Sequence, residues 1–344
     1  MEWLYIWGIS VIIELQRHHI FTEYPYTHFW IFSTRLGDPA TIFTLHAPLL
    51  FTFLDESATF VQFFMASCIS EFLNAVFKWA LMSDRPYWWI HTSRHGGDAS
   101  LIKLQQFPPT CETGPGSPSG HCMITAAAWI VVILTRKSKR SRVLSIIVYA
   151  LALIILALSR LYVGTHFPHQ VVFGIIVGII VGTICYEIKS TRINFLFCLK
   201  LIASLAISAA ITYQTLLVLN YDPDWSIALA QRYCQDPTWI HLSTTPFGSL
   251  FRDTGALIGL GFVAQWMPKY LLVKYNGAPL KTRLFGFFLS LIAAQLITRL
   301  PISQISPNLI WFYACAFIEH AFLLISYTVL IPAFIMRSSQ EKPS

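Results

Sequence analysis

Long apolar stretches separated by short polar segments run along almost the whole chain. Those that approach the roughly 20 residues a helix needs to cross a bilayer lie at residues 28–53, 59–82, 121–135, 143–160, 167–187, 195–219, 250–268, 284–300 and 309–335. Arg35, Asp38 and Pro39 interrupt the first of them. No internal repeat divides the chain. The pattern predicts an all-α polytopic membrane protein with about nine transmembrane helices, in a single domain that covers residues 1–344.

Composition excludes an ordinary soluble enzyme. Of the 344 residues, 55% are hydrophobic and only 12% are charged, whereas soluble domains carry about 25% charged residues. The net charge of +7 comes from basic residues crowded into short loops, and such loops face the cytosol in membrane proteins. They contain Arg136, Lys137, Lys139, Arg140 and Arg142, then Lys189 and Arg192, and then Lys269, Lys274, Lys281 and Arg283. We therefore expect a bilayer, and no nucleic acid, as the partner of these charges.

The basic loops also predict the orientation of the chain. If the loop at 136–142 is cytosolic, alternation of nine spans places the N-terminus on the other face and the C-terminus in the cytosol. The same alternation brings the loops at 83–118, 160–166 and 220–249 to the non-cytosolic face. Cys111 and Cys234 lie in two of these loops, so this topology allows a disulfide between them.

The first polar motif on that face is a pair of cations, Lys78 and Arg85. They are seven residues apart, two helical turns, so they share a face if the helix persists that far. Fixed cations stabilise the charge of a phosphoryl group in flight, and an arginine can do so with two parallel hydrogen bonds. The alternative is that Lys78 snorkels and Arg85 anchors the headgroup region.

The second motif is a turn rich in glycine, proline and serine, at residues 114–121, that leads into an apolar helix. Backbone N–H groups at a helix N-terminus form an anion site, to which Ser119 adds a hydroxyl. Gly120 permits close approach of the backbone to a ligand. His121 can then act as a general acid, although the turn also makes sense as a plain helix start.

The third motif contains Arg160 and His166 on either side of a short turn. A neutral histidine nitrogen can attack phosphorus and form a covalent phosphohistidine, provided that an acceptor on its other nitrogen fixes the tautomer. The alternative is an ordinary surface histidine. His169 follows three residues later, but no carboxylate or third ligand is near in sequence, so we expect neither a metal nor any other cofactor.

The three motifs, in this order, resemble the lipid phosphatase and haloperoxidase superfamily. The longer strings FKWALMSDRPYWW, QFPPTCETGPGSPSGH, SRLYVGTHFPHQVV and DPTWIHLSTTPFGSL resemble the glucose-6-phosphatase catalytic subunit family specifically. Within it, the absence of an Asn-x-Ser/Thr sequon favours the ubiquitous over the liver-type form. The resemblance implies a multi-pass enzyme of the endoplasmic reticulum with a lumenal active site, which hydrolyses glucose 6-phosphate without a metal.

The resemblance also assigns roles to the residues of the motifs. His166 matches the nucleophile that becomes phosphorylated, and His121 matches the acid that protonates the leaving sugar oxygen. The phosphate-binding set matches Lys78, Arg85, Ser119, Gly120 and Arg160. The implied partners are a sugar-phosphate substrate, the lipid bilayer and a glucose 6-phosphate transporter in the same membrane.

One departure from the broader superfamily leaves the support of the nucleophile open. That superfamily has an aspartate four residues after the nucleophilic histidine, where this chain has Gln170. Gln170 can accept a hydrogen bond but supplies no charge. Asp38 is a second candidate for a supporting residue, unless it only pairs with Arg35 or caps a broken helix.

Other functions fit the same motifs. The phosphate site suits another sugar or polyol phosphate, or a lipid phosphate, equally well. A transporter or other non-catalytic membrane protein that only holds an anion is a further alternative, since charges inside a membrane are common to both classes. It accounts less well for two histidines beside the cations.

Overall fold

The computed structural model describes residues 2–18, 25–54, 57–93, 103–240, 244–266, 275–299 and 309–338. Its regular structure within these ranges is helical, without a strand. The helices are α1 (Glu2–Arg17), α2 (Tyr26–Leu36), α3 (Pro39–Phe53), α4 (Ser57–Leu81), α5 (Pro86–Thr92), α6 (Gly120–Leu134), α7 (Lys139–Tyr162), α8 (Pro168–Glu187), α9 (Phe195–Val218), α10 (Trp225–Tyr233), α11 (Pro246–Trp266), α12 (Leu280–Arg299), α13 (Leu309–Ile325) and α14 (Ile331–Ser338). Helix α3 contains a π-helical turn at Ile42–His46, and another, at Ser326–Leu330, joins α13 to α14.

Six segments of the described residues are long and apolar enough to cross a membrane, which confirms the predicted all-α polytopic membrane protein. They are Ser57–Thr92, Lys139–Tyr162, Pro168–Glu187, Phe195–Val218, Leu280–Thr298 and Ile310–Arg337. The predicted count of nine is not confirmed. Helix α6 has only 15 residues, and α11 carries the charged pair Arg252 and Asp253 within 21 residues.

The first predicted span, at 28–53, is two helices. The chain turns at Gly37, and the Asp38 side chain caps α3 by accepting a hydrogen bond of 2.8 Å from the backbone N–H of Ala40. Pro39 follows at the first helical position, where its missing N–H costs nothing. The polar residues that interrupt the apolar run therefore form a helix junction, which places Asp38 beside α6.

Helix α8 packs closely along α6 through a row of glycines. A Cβ atom on Gly174, Gly178 or Gly182 would lie 2.7, 2.2 or 2.3 Å from a backbone oxygen of α6 or of its N-cap residue. Small residues at every fourth position allow this backbone approach in membrane helices. The same packing fixes the N-terminal end of α6, which carries Gly120 and His121, against α8, which follows directly after His166.

The loop before α6 is tied to the segment after α10. Cys111 and Cys234 form a disulfide with their Cα atoms 5.7 Å apart, so the pairing that the predicted topology allows is formed. The Gln106 side-chain amide donates to the Tyr233 carbonyl at 2.9 Å. The disulfide and this hydrogen bond hold the loop that precedes α6 across the end of the helix bundle.

Candidate active site

The structure brings the three sequence motifs together at one end of the bundle. Lys78 lies in the last turn of α4, Arg85 directly before α5, and Arg160 in the last turn of α7. The short turn between α7 and α8 holds His166, and the start of α6 supplies the remaining set, namely Ser119, Gly120 and His121. Arg85, Arg160 and His166 are fully buried, and Lys78 and His121 are 7% and 8% exposed.

Arg85 holds two separate backbone segments in place. Its Nε donates to the Gly114 carbonyl at 2.6 Å, its Nη2 to the Pro115 carbonyl at 3.1 Å, and its Nη1 to the Thr165 carbonyl at 3.3 Å. Lys78 approaches the same loop, because a Cβ on Gly114 would lie 3.4 Å from its Nζ. The guanidinium thus links the turn before α6 to the turn that carries His166.

A backbone carbonyl determines the tautomer of His166. Its Nδ1 lies 2.7 Å from the Gly116 oxygen, which can only accept a hydrogen bond, so Nδ1 carries the proton and Nε2 keeps a lone pair. Nε2 lies 3.4 Å from Arg85 Nη1. Burial, together with Arg85 and Arg160, holds the pKa of His166 well below its usual value. The imidazole is therefore neutral at neutral pH, as a nucleophile must be.

Gln170 and Asp38, the two residues that we considered as supports for His166, contact other groups. The Gln170 amide donates to Ser83 Oγ at 2.8 Å and to the Asp84 carbonyl at 2.7 Å. Its oxygen accepts from the Phe167 backbone N–H at 3.0 Å. Gln170 therefore braces the segment before Arg85, while the Gly116 carbonyl orients His166.

His121 lies between two carboxylates and a guanidinium. Its Nε2 is 3.6 Å from Asp38 Oδ2 and 3.4 Å from Arg160 Nη1, and its Nδ1 is 3.7 Å from Glu112 Oε1. Asp38 is thus a neighbour of the predicted acid, at a distance that a small movement would turn into a hydrogen bond. Each ring nitrogen of His121 therefore faces a carboxylate.

The start of α6 offers fewer donors than its sequence indicates. The backbone N–H of Ser119 donates to the Gln170 carbonyl at 3.1 Å, so it does not face a ligand. Helix α6 begins at Gly120, and the first N–H groups of a helix have no partner within it. Of the predicted donors here, the Ser119 hydroxyl and the Gly120 backbone N–H therefore remain for phosphate.

Glu112 is the site residue that sequence reasoning missed. Its carboxylate accepts hydrogen bonds from Arg160 Nη2 and, at 2.9 Å, from Arg85 Nη2, and its Oε2 is 4.0 Å from His166 Nε2. Burial alone would raise the pKa of this carboxyl, but Arg160 and Arg85 outweigh it and hold the pKa well below its usual range. The only sequence signal was a carboxylate nine residues before His121, in a loop that we predicted to lie on the same side of the membrane as the three motifs.

A cavity of about 430 Å³ continues from these groups into the bundle. Among the site residues, its walls include Lys78, Glu112, His121 and Arg160, whereas His166 and Arg85 lie behind them and do not line it. Further along, the walls are formed by polar side chains of α4, α11 and α13, namely Glu71, Asn74, Ser249, Arg252, Glu319 and His320. No group of three histidine, cysteine, aspartate or glutamate residues suited to a metal occurs among the residues that the structure describes.

Comparison with known proteins agrees with this arrangement. The PAP2 superfamily pattern matches residues 59–194, which contain all three motifs. The chain is similar to glucose-6-phosphatase 3 of Bos taurus (36% identity, 98% of this chain and 96% of that one) and to glucose-6-phosphatase 2 of Homo sapiens (34%, 99% of each). It is 33% identical to glucose-6-phosphatase catalytic subunit 1 of Felis catus over 96% of both chains. No solved structure matches it. The chain therefore belongs to the glucose-6-phosphatase family.

Proposed function

We propose that this chain hydrolyses glucose 6-phosphate to glucose and phosphate through a covalent phosphohistidine on His166. Family membership makes it a phosphoric monoester hydrolase in a multi-pass membrane protein. The observation that carries the covalent step is the hydrogen bond from His166 Nδ1 to the Gly116 carbonyl. It leaves Nε2 unprotonated beside Arg85.

In the first step, Nε2 of His166 attacks phosphorus and a nitrogen–phosphorus bond forms as the bond from phosphorus to the sugar oxygen breaks. His121 donates its proton to that oxygen, so glucose leaves as a neutral alcohol. Lys78, Arg85 and Arg160 stabilise the charge that spreads over the phosphoryl oxygens. The Asp38 carboxylate, 3.6 Å from His121 Nε2, orients the imidazole of the acid.

In the second step, His121 takes a proton from water, which attacks phosphorus. The nitrogen–phosphorus bond breaks, inorganic phosphate leaves, and His166 returns to its neutral state while His121 is protonated again. Protons and bonds balance over the two steps without a further reactant. The same two histidines thus serve both halves of the reaction, as microscopic reversibility requires.

The helices that carry the site support a lumenal location for it. His121 begins α6 and Arg160 lies at the end of α7, whereas the basic loop at 135–138 joins the opposite ends of these helices. Basic loops face the cytosol, which supports a lumenal site in the endoplasmic reticulum, a lumenal N-terminus and a cytosolic C-terminus. A substrate made in the cytosol would then need a separate glucose 6-phosphate transporter.

The test is phosphate release from glucose 6-phosphate by the purified chain in detergent, with a chelator present. We expect activity in the wild type, none in His166→Ala, and an acid-labile phosphoenzyme on brief exposure to labelled substrate in the wild type only. His169→Gln is the matched control, because His169 is on the same segment but packs on the rings of Tyr5 and Phe167.

The alternatives give other results in the same assay. Release from phosphatidate but not from glucose 6-phosphate would identify a lipid phosphatase. Release from another sugar phosphate alone would keep the mechanism and change the substrate. Binding of phosphate without release from any ester would indicate a transporter or a non-catalytic protein. A labelled His166→Ala protein would refute the role of His166.

A further inference from the structure

We propose that the far end of the cavity, formed by Glu71, Arg252, Glu319 and His320 and here called the acceptor floor, binds the hydroxyl groups of the leaving group. The site would thereby select a sugar or polyol phosphate over a lipid phosphate. This inference rests on the proposed function, because it concerns the part of the substrate that leaves from phosphorus.

The floor and the phosphate cradle lie along one face of α4. Glu71, Asn74 and Lys78 are spaced three and four residues apart, which places them on the same side of the helix, and all three line the cavity. Seven residues of α-helix rise roughly 10 Å. Lys78 and Glu71 are therefore attached to α4 at positions whose separation suits a hexose ring extended from its phosphate.

The floor has a carboxylate oxygen that no protein donor satisfies. Glu71 is 2% exposed, and its Oε1 accepts from Arg252 Nη2. A hydrogen bond also joins the carboxyl groups of Glu71 and Asp253, so Glu71 is held in position by two neighbours. Within the described part of the chain, Glu319 Oε1 is buried without a hydrogen-bond partner. Buried polar atoms are normally paired, so this oxygen indicates a ligand that supplies a donor.

His320 adds another acceptor. Its Nδ1 lies 3.0 Å from the Ala316 carbonyl, so Nδ1 carries the proton and Nε2 keeps a lone pair. Hydroxyl groups can donate hydrogen bonds to these acceptors. An ionised phosphate group and an acyl chain have no such donor. The carboxylates repel a phosphate group, which fixes the substrate direction. An acyl chain would leave the oxygens unpaired, at a cost that strongly discriminates against it.

The experiment measures kcat and KM for glucose 6-phosphate and for its 2-, 3- and 4-deoxy analogues, together with the inhibition constant of inorganic phosphate. The variants are Glu71→Gln and Glu319→Gln. Glu187→Gln at the exposed end of α8 is the control. We expect kcat/KM for glucose 6-phosphate to fall about 10- to 100-fold in either floor variant. Inorganic phosphate does not reach the floor, so its inhibition constant should stay within about threefold of the wild-type value in both variants.

The deoxy analogues identify a direct contact. If a floor carboxylate accepts from one hydroxyl, removing that hydroxyl lowers kcat/KM in the wild type but has little further effect in the corresponding variant. Equal effects of every deoxy substitution in wild type and variants would overturn the proposal. So would a parallel loss of inorganic phosphate inhibition, which would indicate that the floor only supports the fold.

Using two variants keeps the test decisive if one of them misfolds. Glu71→Gln deprives Arg252 of its carboxylate, and losing one partner of a buried ion pair can prevent folding. Glu319→Gln keeps that ion pair, so it decides the outcome if the first variant does not fold. A wild type that hydrolyses p-nitrophenyl phosphate but no sugar phosphate would refute the proposed function. Normal sugar-phosphate turnover in folded Glu319→Gln and Glu71→Gln would refute this inference alone.

Discussion

Substituting Glu112 by glutamine tests whether its carboxylate occupies the position of the substrate phosphate. The carboxylate contacts Arg85 and Arg160, and it lies 3.7 Å from His121 and 4.0 Å from His166. These are the contacts that a phosphoryl group under attack by His166 would make. Bound phosphate and the Glu112 carboxylate therefore compete for the same cations, and Glu112→Gln removes the competing charge while keeping the shape.

The magnitude follows from the same contacts. Removing one partner of a buried ion pair typically costs about 3–5 kcal/mol, so the phosphate-free variant should unfold at a lower temperature than the wild type. When phosphate binds to the wild type, it displaces the Glu112 carboxylate, and part of the stabilising free energy of the ion pair is lost. The Glu112 side chain is 12% exposed and can turn toward the cavity, so we take a cost of about 1.4 kcal/mol. This cost corresponds to tenfold weaker phosphate binding.

We therefore expect Glu112→Gln to bind inorganic phosphate about tenfold more tightly than the wild type. Thermal unfolding in detergent during a phosphate titration measures this directly, because a ligand stabilises the folded state according to its concentration relative to Kd. Phosphate should raise the unfolding temperature of the variant more than that of the wild type or of Glu187→Gln. Equal shifts would show that the carboxylate does not compete with phosphate, and weaker binding to the variant would show that it assists phosphate binding; either result refutes the reasoning.

Three further predictions follow from the site and its packing. Gly178→Leu should abolish activity, because a Cβ added there would lie only 2.2 Å from the Met123 carbonyl oxygen; Val172→Leu, on the exposed face of α8, is the control. Asp38→Asn should lower kcat more than it raises KM, since the Asp38 carboxylate, 3.6 Å from His121 Nε2, orients the imidazole; an unchanged kcat contradicts this. The pKa of His166, the proposed nucleophile, is lowered, so its imidazole stays neutral to a lower pH than an ordinary histidine. The acidic limb of kcat/KM should therefore lie below about pH 6.5, the ordinary histidine value; a limb above that value contradicts this.

The sequence predicts the meeting of the three motifs because each stands at the end of an apolar run. The charges of the loops predict which helix ends lie on the same side of the membrane, and the structure brings Lys78, Arg85, His121, Arg160 and His166 together. The count of nine spans is less predictable, since polar residues interrupt the apolar runs where helices begin inside the cavity. Helix α6 is short for this reason.

Other parts of the site depend on contacts without a local signal. Arg252 and Glu71 are 181 residues apart, and nothing near either residue indicates the other. The acceptor that orients His166 is the Gly116 carbonyl, a group that every residue possesses. Glu112 stands two residues before the second motif, but only folding reveals that its charge meets Arg85 and Arg160.

The disulfide between Cys111 and Cys234 has a consequence for how the protein is made. A ribosome produces the loop that carries Glu112 first, and 123 residues separate the two cysteines. Five helices, α6 to α10, lie between the two cysteines. The disulfide therefore cannot form until these helices have been synthesised and both thiols are in an oxidising environment. Completion of the active site is therefore a late event in biogenesis. A chain truncated before Cys234 would contain all three motifs but not the disulfide that holds the loop with Glu112 in place.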